Sequence, residues 1–373
     1  MVTGTERAVA FIDLGILEEN LQVIKSRITA GTKMLCVVKA NAYGHGAVEV
    51  SRKLEKTGVD YLGVATVDEG IELREKGIRL PILVMSGLFP WDKIGPVIKN
   101  ELSMVIYDAR MLEKIVDTCS SFEKPLSVHI KVDTGMGRLG FSVGDMSFVG
   151  HQLRSVRNIV CEGLMSHFAS SEIRDDYGLQ QVASFHEARL ALTDIGVKPS
   201  IAHMANSGGM IEYPEAHFDM VRVGISLYGS YPASNLAEKL RLKQVMKFVT
   251  KIALIRELPA GKALSYGRTY VTEKKRRIAY IPVGYADGYP RSLSNKGFVL
   301  IKDIKCSIVG AVCMDWSLVD ITAVDGVDVG EEVILLGQGN TQTVTANEIA
   351  EHAGTIPYEI LCKISKRVPR FYV

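Results

Sequence analysis

Over roughly the first 235 residues, short apolar runs alternate with longer amphipathic stretches. The runs begin near Met34, Tyr61, Pro81, Leu102, Leu126, Ile159, Ser200 and Met220. Each reads as a strand buried on both faces of a parallel sheet. Between them, Leu14 to Ile28 carries apolar residues at helical spacing, Val67 to Lys76 stops at Gly77, and Leu179 to Ile195 stops at Gly196. Eight strands alternating with helices predict an α/β chain that opens with a (β/α)8 TIM-type barrel, an open doubly wound sheet being the structural alternative.

After Tyr231-Pro232 the texture changes to closely spaced strand-like runs punctuated by Gly, Asp and Asn, with two short helical segments near Ala346 to His352 and Tyr358 to Ser365. This predicts a second, mostly-β domain, dividing the chain into 1–235 and 236–373. The 373 residues are 47% hydrophobic, enough for a large core. With 44 basic and 42 acidic residues interleaved, the net charge of +2 leaves no electrostatic footprint for nucleic acid or an anionic membrane. The N-terminal MVTGTERAVAFIDLGILEENL has acidic residues inside its only apolar stretch, so it suits neither a signal peptide nor a span, and the expected location is cytoplasmic. Six scattered cysteines without a C-x-x-C pair predict neither a disulfide framework nor a metal site.

Chemistry gathers around Lys39, last in the run Met34-Leu-Cys-Val-Val-Lys39 and followed by Gly44 and Gly46, which would turn the chain into a helix near Ala47. Lys39 is either a solvated strand-end lysine or a partly desolvated amine able to form a Schiff base. In the barrel reading, Asp133 to Arg138, His167, Asn206-Ser207-Gly208-Gly209, Arg222 and Gly224 also fall at or near strand carboxyl ends, the face on which barrels build active sites. Ser207, Gly208, Gly224 and Ile225 form a candidate phosphate cup, although each motif taken alone is an ordinary turn. His45, His129 and His186 read as surface or core histidines, and His203 fits either a structural or a functional reading. A lysine, a phosphate cup and an arginine together suggest pyridoxal 5'-phosphate.

The stretches VVKANAYGHG at Val37, KVDTGMGRLGF at Lys131, SHF at Ser166, HMANSGG at His203, VRVGISLYG at Val221, LSYGRTY at Leu264, PVGYADGYPR at Pro282 and GAVCMDW at Gly310 closely resemble the alanine racemase family. The resemblance covers nearly the whole chain. It implies a pyridoxal-phosphate-dependent isomerase that interconverts L- and D-alanine for peptidoglycan supply, working as a homodimer with a site shared between subunits. Lys39 would hold the cofactor and serve as one base, Tyr266 as the other. Tyr43, Ser207, Gly224, Ile225 and Tyr358 would bind the phosphate, Asn206 would also contact the cofactor, Arg222 would face the pyridine nitrogen, and His167 would stack near the ring. Arg138 would contact cofactor and substrate carboxylate, with the Met314 N–H as a further donor and Tyr285 at the entrance. Lys131 matches a lysine that is carbamylated in many members.

Three other readings are weighed against this one. A broad-specificity or serine racemase follows because a small pocket rejects an added hydroxyl poorly. A non-catalytic pyridoxal-phosphate-binding barrel of the homeostasis type would lack the second domain. A barrel-type decarboxylase of basic amino acids would carry an acid where Arg222 stands.

Overall fold

A computed structural model describes residues 6–89, 93–119 and 124–373; the first five residues of the N-terminal stretch lie outside them. The eight expected runs become the strands Lys33–Val37, Tyr61–Val64, Ile82–Val84, Ser103–Ile106, Leu126–Lys131, Ile159–Met165, Ile201–His203 and Met220–Val223. They make one eight-stranded sheet, in sequence order from the first to the seventh, with the eighth paired to the first. Every ladder is parallel. Across the seam between the seventh and eighth strands, Asp219 N–H donates to Ala202 O at 3.0 Å and Arg222 N–H to Ala205 O at 2.9 Å, so the barrel is nearly closed.

The helices follow the sequence with shifts that local hydrogen bonds explain. Leu14–Lys25 stops short of Ile28 because Arg27 and Ile28 bond back three residues, to Ile24 and Lys25, and tighten the last turn. Asp176–Asp194 starts three residues before the expected Leu179, because the Asp175 carboxylate accepts the Gly178 N–H at 2.8 Å and caps it.

In the second domain, Ile304–Ser307, Phe298–Ile301, Glu332–Gln338, Met246–Lys251, Ala8–Ile12 and Arg370–Tyr372 lie side by side in one sheet. The strand Ala8–Ile12, which the division at residue 235 puts with the barrel, is therefore a strand of the second sheet. It runs antiparallel to Met246–Lys251 and parallel to Arg370–Tyr372, which satisfies both of its backbone edges and buries Val9, Ala10 and Ile12. A three-stranded sheet joins Leu254–Leu258, Arg276–Ile281 and Ser317–Asp320, and the small hairpin Ala263–Leu264/Tyr270–Val271 projects a turn at Tyr266. One contiguous apolar core runs through both units.

Candidate active site

The barrel mouth encloses a cavity of about 470 Å³ lined by Lys39, Tyr43, Lys131, Arg138, His167, Asn206, Ser207, Arg222, Gly224, Ile225 and Tyr358 among others. Eleven residues singled out from the sequence thus meet around one space.

Lys39 leads into a turn with an unexpected hand. Ala40, Asn41, Ala42 and Tyr43 have φ of 52°, 55°, 52° and 51°, a left-handed turn that costs L-residues about 1–2 kcal/mol each. Its surroundings hold it in place. The Glu69 carboxylate accepts the Ala40 N–H at 2.7 Å, the Asn41 side chain accepts the Ala47 N–H at 2.9 Å, and Arg370 Nε donates to Gly44 O at 3.1 Å. Gly44 and Gly46 continue at φ 81° and 98°. A Cβ on Gly44 would fall 2.4 Å from Leu361 O, so close approach of the second domain requires glycine there. The helix then begins at Ala47, as the sequence implies. Burial, and then the charge of Arg138, lower the Lys39 amine from its ordinary value, with Glu69 opposing in part.

At one end of the cavity several donors have no acceptor among the described residues. They are the Tyr43 and Tyr358 hydroxyls, whose rings lie 5.9 Å apart, and the N–H groups of Ser207 and Ile225. The Gly224 N–H donates to Ser207 Oγ at 3.0 Å, and a Cβ on Gly224 would lie 2.7 Å from the Tyr43 hydroxyl. Asn206 Oδ1 accepts from Gly208 N–H at 3.1 Å and Gly209 N–H at 2.9 Å. Gly208, expected in the cup, is thereby turned to a helix cap.

At the other end Arg222 is buried, and the four hydrogens of its terminal nitrogens lie within reach of five acceptors. Nη1 reaches His203 Nδ1 and His203 O, both at 3.0 Å, while Nη2 reaches Ser166 O at 2.8 Å and both His167 Nδ1 and Met204 O at 3.0 Å. Nε alone has no partner among the described residues. Burial lowers Arg222 to about 9, still above neutrality, so the guanidinium remains a cation. His167 accepts through Nδ1, which leaves its Nε2–H as a donor. Burial, then Arg222 and Lys131, hold His167 well below its ordinary value, so it is a neutral imidazole.

Lys131 is buried beside Arg138 and Arg222, and burial followed by those two charges lowers its amine to about 8. Arg138 is held through its backbone. Asp133 accepts the N–H groups of Gly135, Met136, Gly137 and Arg138 at 2.8–3.2 Å, winding the loop around one carboxylate. Burial works against that charge, but the four donors outweigh it and keep Asp133 below its ordinary value. In the sequence Asp133 is picked out only as the start of the stretch to Arg138, with no role of its own, and Glu69 is not picked out at all. The pattern Thr66-Val-Asp-Glu69 is a readable capping box, but its second duty of holding Ala40 is a long-range contact that no local pattern shows.

Three expected residues stand elsewhere. Tyr266, Met314 and Tyr285 are 72%, 52% and 42% exposed on the second domain, and none lines the cavity of its own chain. Met314 O accepts from Ala286 N–H and Cys313 O from Tyr285 N–H, both at 3.0 Å, which places Met314 beside Tyr285.

A barrel with a desolvated lysine, a donor-lined end and a buried arginine, joined to a β domain that offers an exposed tyrosine, defines an enzyme of the amino-acid racemase class. The comparisons narrow this to one family. The model of the alanine racemase N-terminal domain matches residues 12–232, and that of the C-terminal domain matches 245–372. The chain is 42% identical to the alanine racemase of Halothermothrix orenii over 97% of its length and 96% of that protein's. It is 41% identical to alanine racemase 2 of Caldanaerobacter subterraneus subsp. tengcongensis, over 97% and 94%. Among solved structures, the alanine racemase of Clostridium difficile 630 superposes with a TM-score of 0.92 at 40% identity, covering 100% of this chain and 97% of that one; a form of it in complex with cycloserine gives 0.89 at 38%. The chain belongs to the alanine racemase family.

Proposed function

We propose that this chain interconverts L- and D-alanine in the cytoplasm with bound pyridoxal 5'-phosphate, supplying D-alanine for peptidoglycan, and that it does so as a homodimer. The observation that carries the reading is the division of the cavity into two unsatisfied ends. Tyr43, Tyr358, Ser207 and Ile225 present unpaired donors suited to a phosphate, and the single free nitrogen of Arg222 suits a pyridine acceptor. Gly224 leaves the room that a side chain would fill. When bound, the cofactor supplies an aldehyde for a lysine amine and a ring that draws electrons from the α-carbon, acidifying its hydrogen.

Lys39, shifted towards neutrality, holds the cofactor and moves the proton on one face of the α-carbon. Racemisation needs a second group on the opposite face, and a second copy's Tyr266 fills that role. The free Nε2–H of His167 offers that phenol oxygen a donor, with the charge of Arg222 behind it. Arg222, a cation without a lone pair to take up a proton, leaves the ring nitrogen unprotonated and limits how much charge the ring draws, which suppresses side reactions. Arg138 and the Met314 N–H bind the substrate carboxylate, and Tyr285 with Tyr358 narrows the entrance.

Lys131 completes the set as a carbamate. Its neutral amine adds to carbon dioxide and releases a proton, so a cation among Lys39, Arg138 and Arg222 becomes an anion paired to Arg138. The deciding test is a coupled assay of D-alanine formation from L-alanine, with an absorption spectrum taken first. A coloured protein active on alanine, with lower kcat/KM for serine and none for lysine, is the expected result; a colourless protein that pyridoxal phosphate does not reconstitute overturns it. The family match over 245–372 supports the racemase over a non-catalytic barrel, which lacks that domain.

A further inference from the structure

Below Arg222 the barrel interior is threaded by polar groups that the proton chemistry does not use. His203 and His129 are fully buried, with His203 Nε2 2.8 Å from His129 Nδ1. His129 Nε2 lies 3.2 Å from Glu162 Oε2. Near the strand starts, Glu162 accepts from Tyr61 Oη at 2.6 Å, Ser103 Oγ at 2.9 Å and Ser127 Oγ at 2.5 Å. With the 3.0 Å bond from Arg222 Nη1 to His203 Nδ1, the chain runs unbroken from the cavity to the barrel floor.

The strands are shaped for it. The register between Leu126–Lys131 and Ile159–Met165 slips between Val128 and His129, where Cys161 and Gly163 are paired and Glu162 is left over as the inserted residue of a bulge. Bulges re-aim side chains, and they are rare in parallel ladders. Beside it, a Cβ on Gly163 would sit 2.1 Å from His129 Nδ1, so glycine makes the room that His129 occupies.

We propose that Glu162 and His129 are positioning residues for Arg222, acting through His203 as a hydrogen-bond chain with a single direction. Rested on the racemase reading of the cavity, this assigns them the task of holding the guanidinium with Nε towards the ring. The direction follows from the two ends. A guanidinium only donates, so His203 Nδ1 accepts and its Nε2 carries the proton; His129 Nδ1 then accepts, and its Nε2–H donates to a carboxylate that only accepts. A proton added to either imidazole would set N–H against N–H, so both rings are neutral. Burial, then Arg222 and His129, also hold His203 well below its ordinary value. Burial alone would raise Glu162, yet hydrogen bonds from His129, Ser127 and Tyr61 keep it ionised, so the chain ends on a negative charge opposite the cations of the cavity.

The test is nitrogen-15 NMR of the histidine-labelled holoenzyme, combined with kinetics of two variants. At His129 and His203, told apart from the other histidines by substitution, solvent-protected imidazoles protonated at Nε2 and unchanged from about pH 6 to 9 are expected in the wild type. Glu162→Leu is expected to release those tautomers and to lower kcat about tenfold, with KM for alanine within about twofold because no substrate atom approaches the floor. Glu162→Gln keeps a carbonyl acceptor for His129 and is expected to recover kcat to within about threefold of wild type. An Nδ1–H tautomer or an imidazolium at His129 or His203 in the wild type overturns the proposal, and so does a Glu162→Leu enzyme with wild-type kcat. If Glu162→Leu does not fold, the wild-type tautomers decide alone. Because tautomers are read without turnover, a failed racemase assay leaves this result separate.

Discussion

Lys39 and Tyr266 each adjoin left-handed backbone, and those turns are held in opposite ways. The turn after Lys39 is enclosed, with Glu69, Asn41 and Arg370 each bonding a backbone group of it or of the residues that follow. The turn at Tyr266 has Ser265, Gly267 and Arg268 at φ 63°, 72° and 53°, held by Ser265 Oγ donating to Ala311 O at 2.6 Å and by the Arg268 N–H to Ser265 O. Its aromatic ring projects into solvent. Of the two proposed bases, the cavity therefore holds Lys39 alone, whereas Tyr266 stands away from it in the same chain. Strained backbone kept at an exposed point fits the proposed homodimer, in which two-fold pairing would complete two sites at once.

The largest expected effects break the pairing itself. Lys39→Ala and Tyr266→Phe homodimers should each lose about 10²–10⁴-fold in racemase kcat. After subunit exchange, a mixture should recover to about a quarter of wild type, since half the dimers are mixed and one site in each has both bases. No recovery despite mass-spectrometric proof of exchange would place both bases within one chain.

Loosening the cavity side comes next. Asp133→Ala frees the loop that aims Arg138 and should raise KM for alanine about 10–100-fold, with kcat less affected, in steady-state assays. An unchanged KM would show that Arg138 is held from elsewhere.

Lys131 gives a smaller effect with a definite sign. Its folded-state amine titrates near 8 and its unfolded one near about 10.4, so the unfolded chain holds the extra proton between these values and stability rises with pH across them. Lys131→Met should flatten that rise. Carbamate formation should make the wild type more stable in bicarbonate, by about 1–2 °C in Tm for each 1 kcal/mol gained, and leave Lys131→Met unmoved. Equal melting curves with and without bicarbonate would argue against the carbamate.

At the bottom of the scale, Lys275→Ala removes an exposed ion pair with Glu257 on the second domain and should leave the denaturant midpoint unchanged within error. A lower midpoint would mean that this face is covered in solution.

The barrel was legible because strand length, β-branched content and helix stops are local signals, and the eight observed strands begin within about two residues of the apolar runs. The cavity residues were legible through their motifs and their place at strand ends. What escaped was non-local. Ala8–Ile12 has the composition of a strand but nothing in it names its sheet, because its partners lie near residues 248 and 371. The left-handed turn escaped because Ala40, Asn41 and Ala42 carry no glycine signal and are held by residues far along the chain. Glu162 escaped because a bulge reverses the face that strand alternation assigns to it.

The bond from Arg370 to Gly44 spans 326 residues of sequence. Closing so long a loop is among the costlier contacts to form in entropy, and long-range contacts of this kind are made late in folding. Since ribosomes build chains from the N-terminus, the barrel strands emerge well before the segment that fastens the lysine turn. A newly made chain should therefore own a barrel before it owns an ordered Lys39, and cofactor capture should coincide with docking of the segment at Arg370–Tyr372 and not with barrel closure.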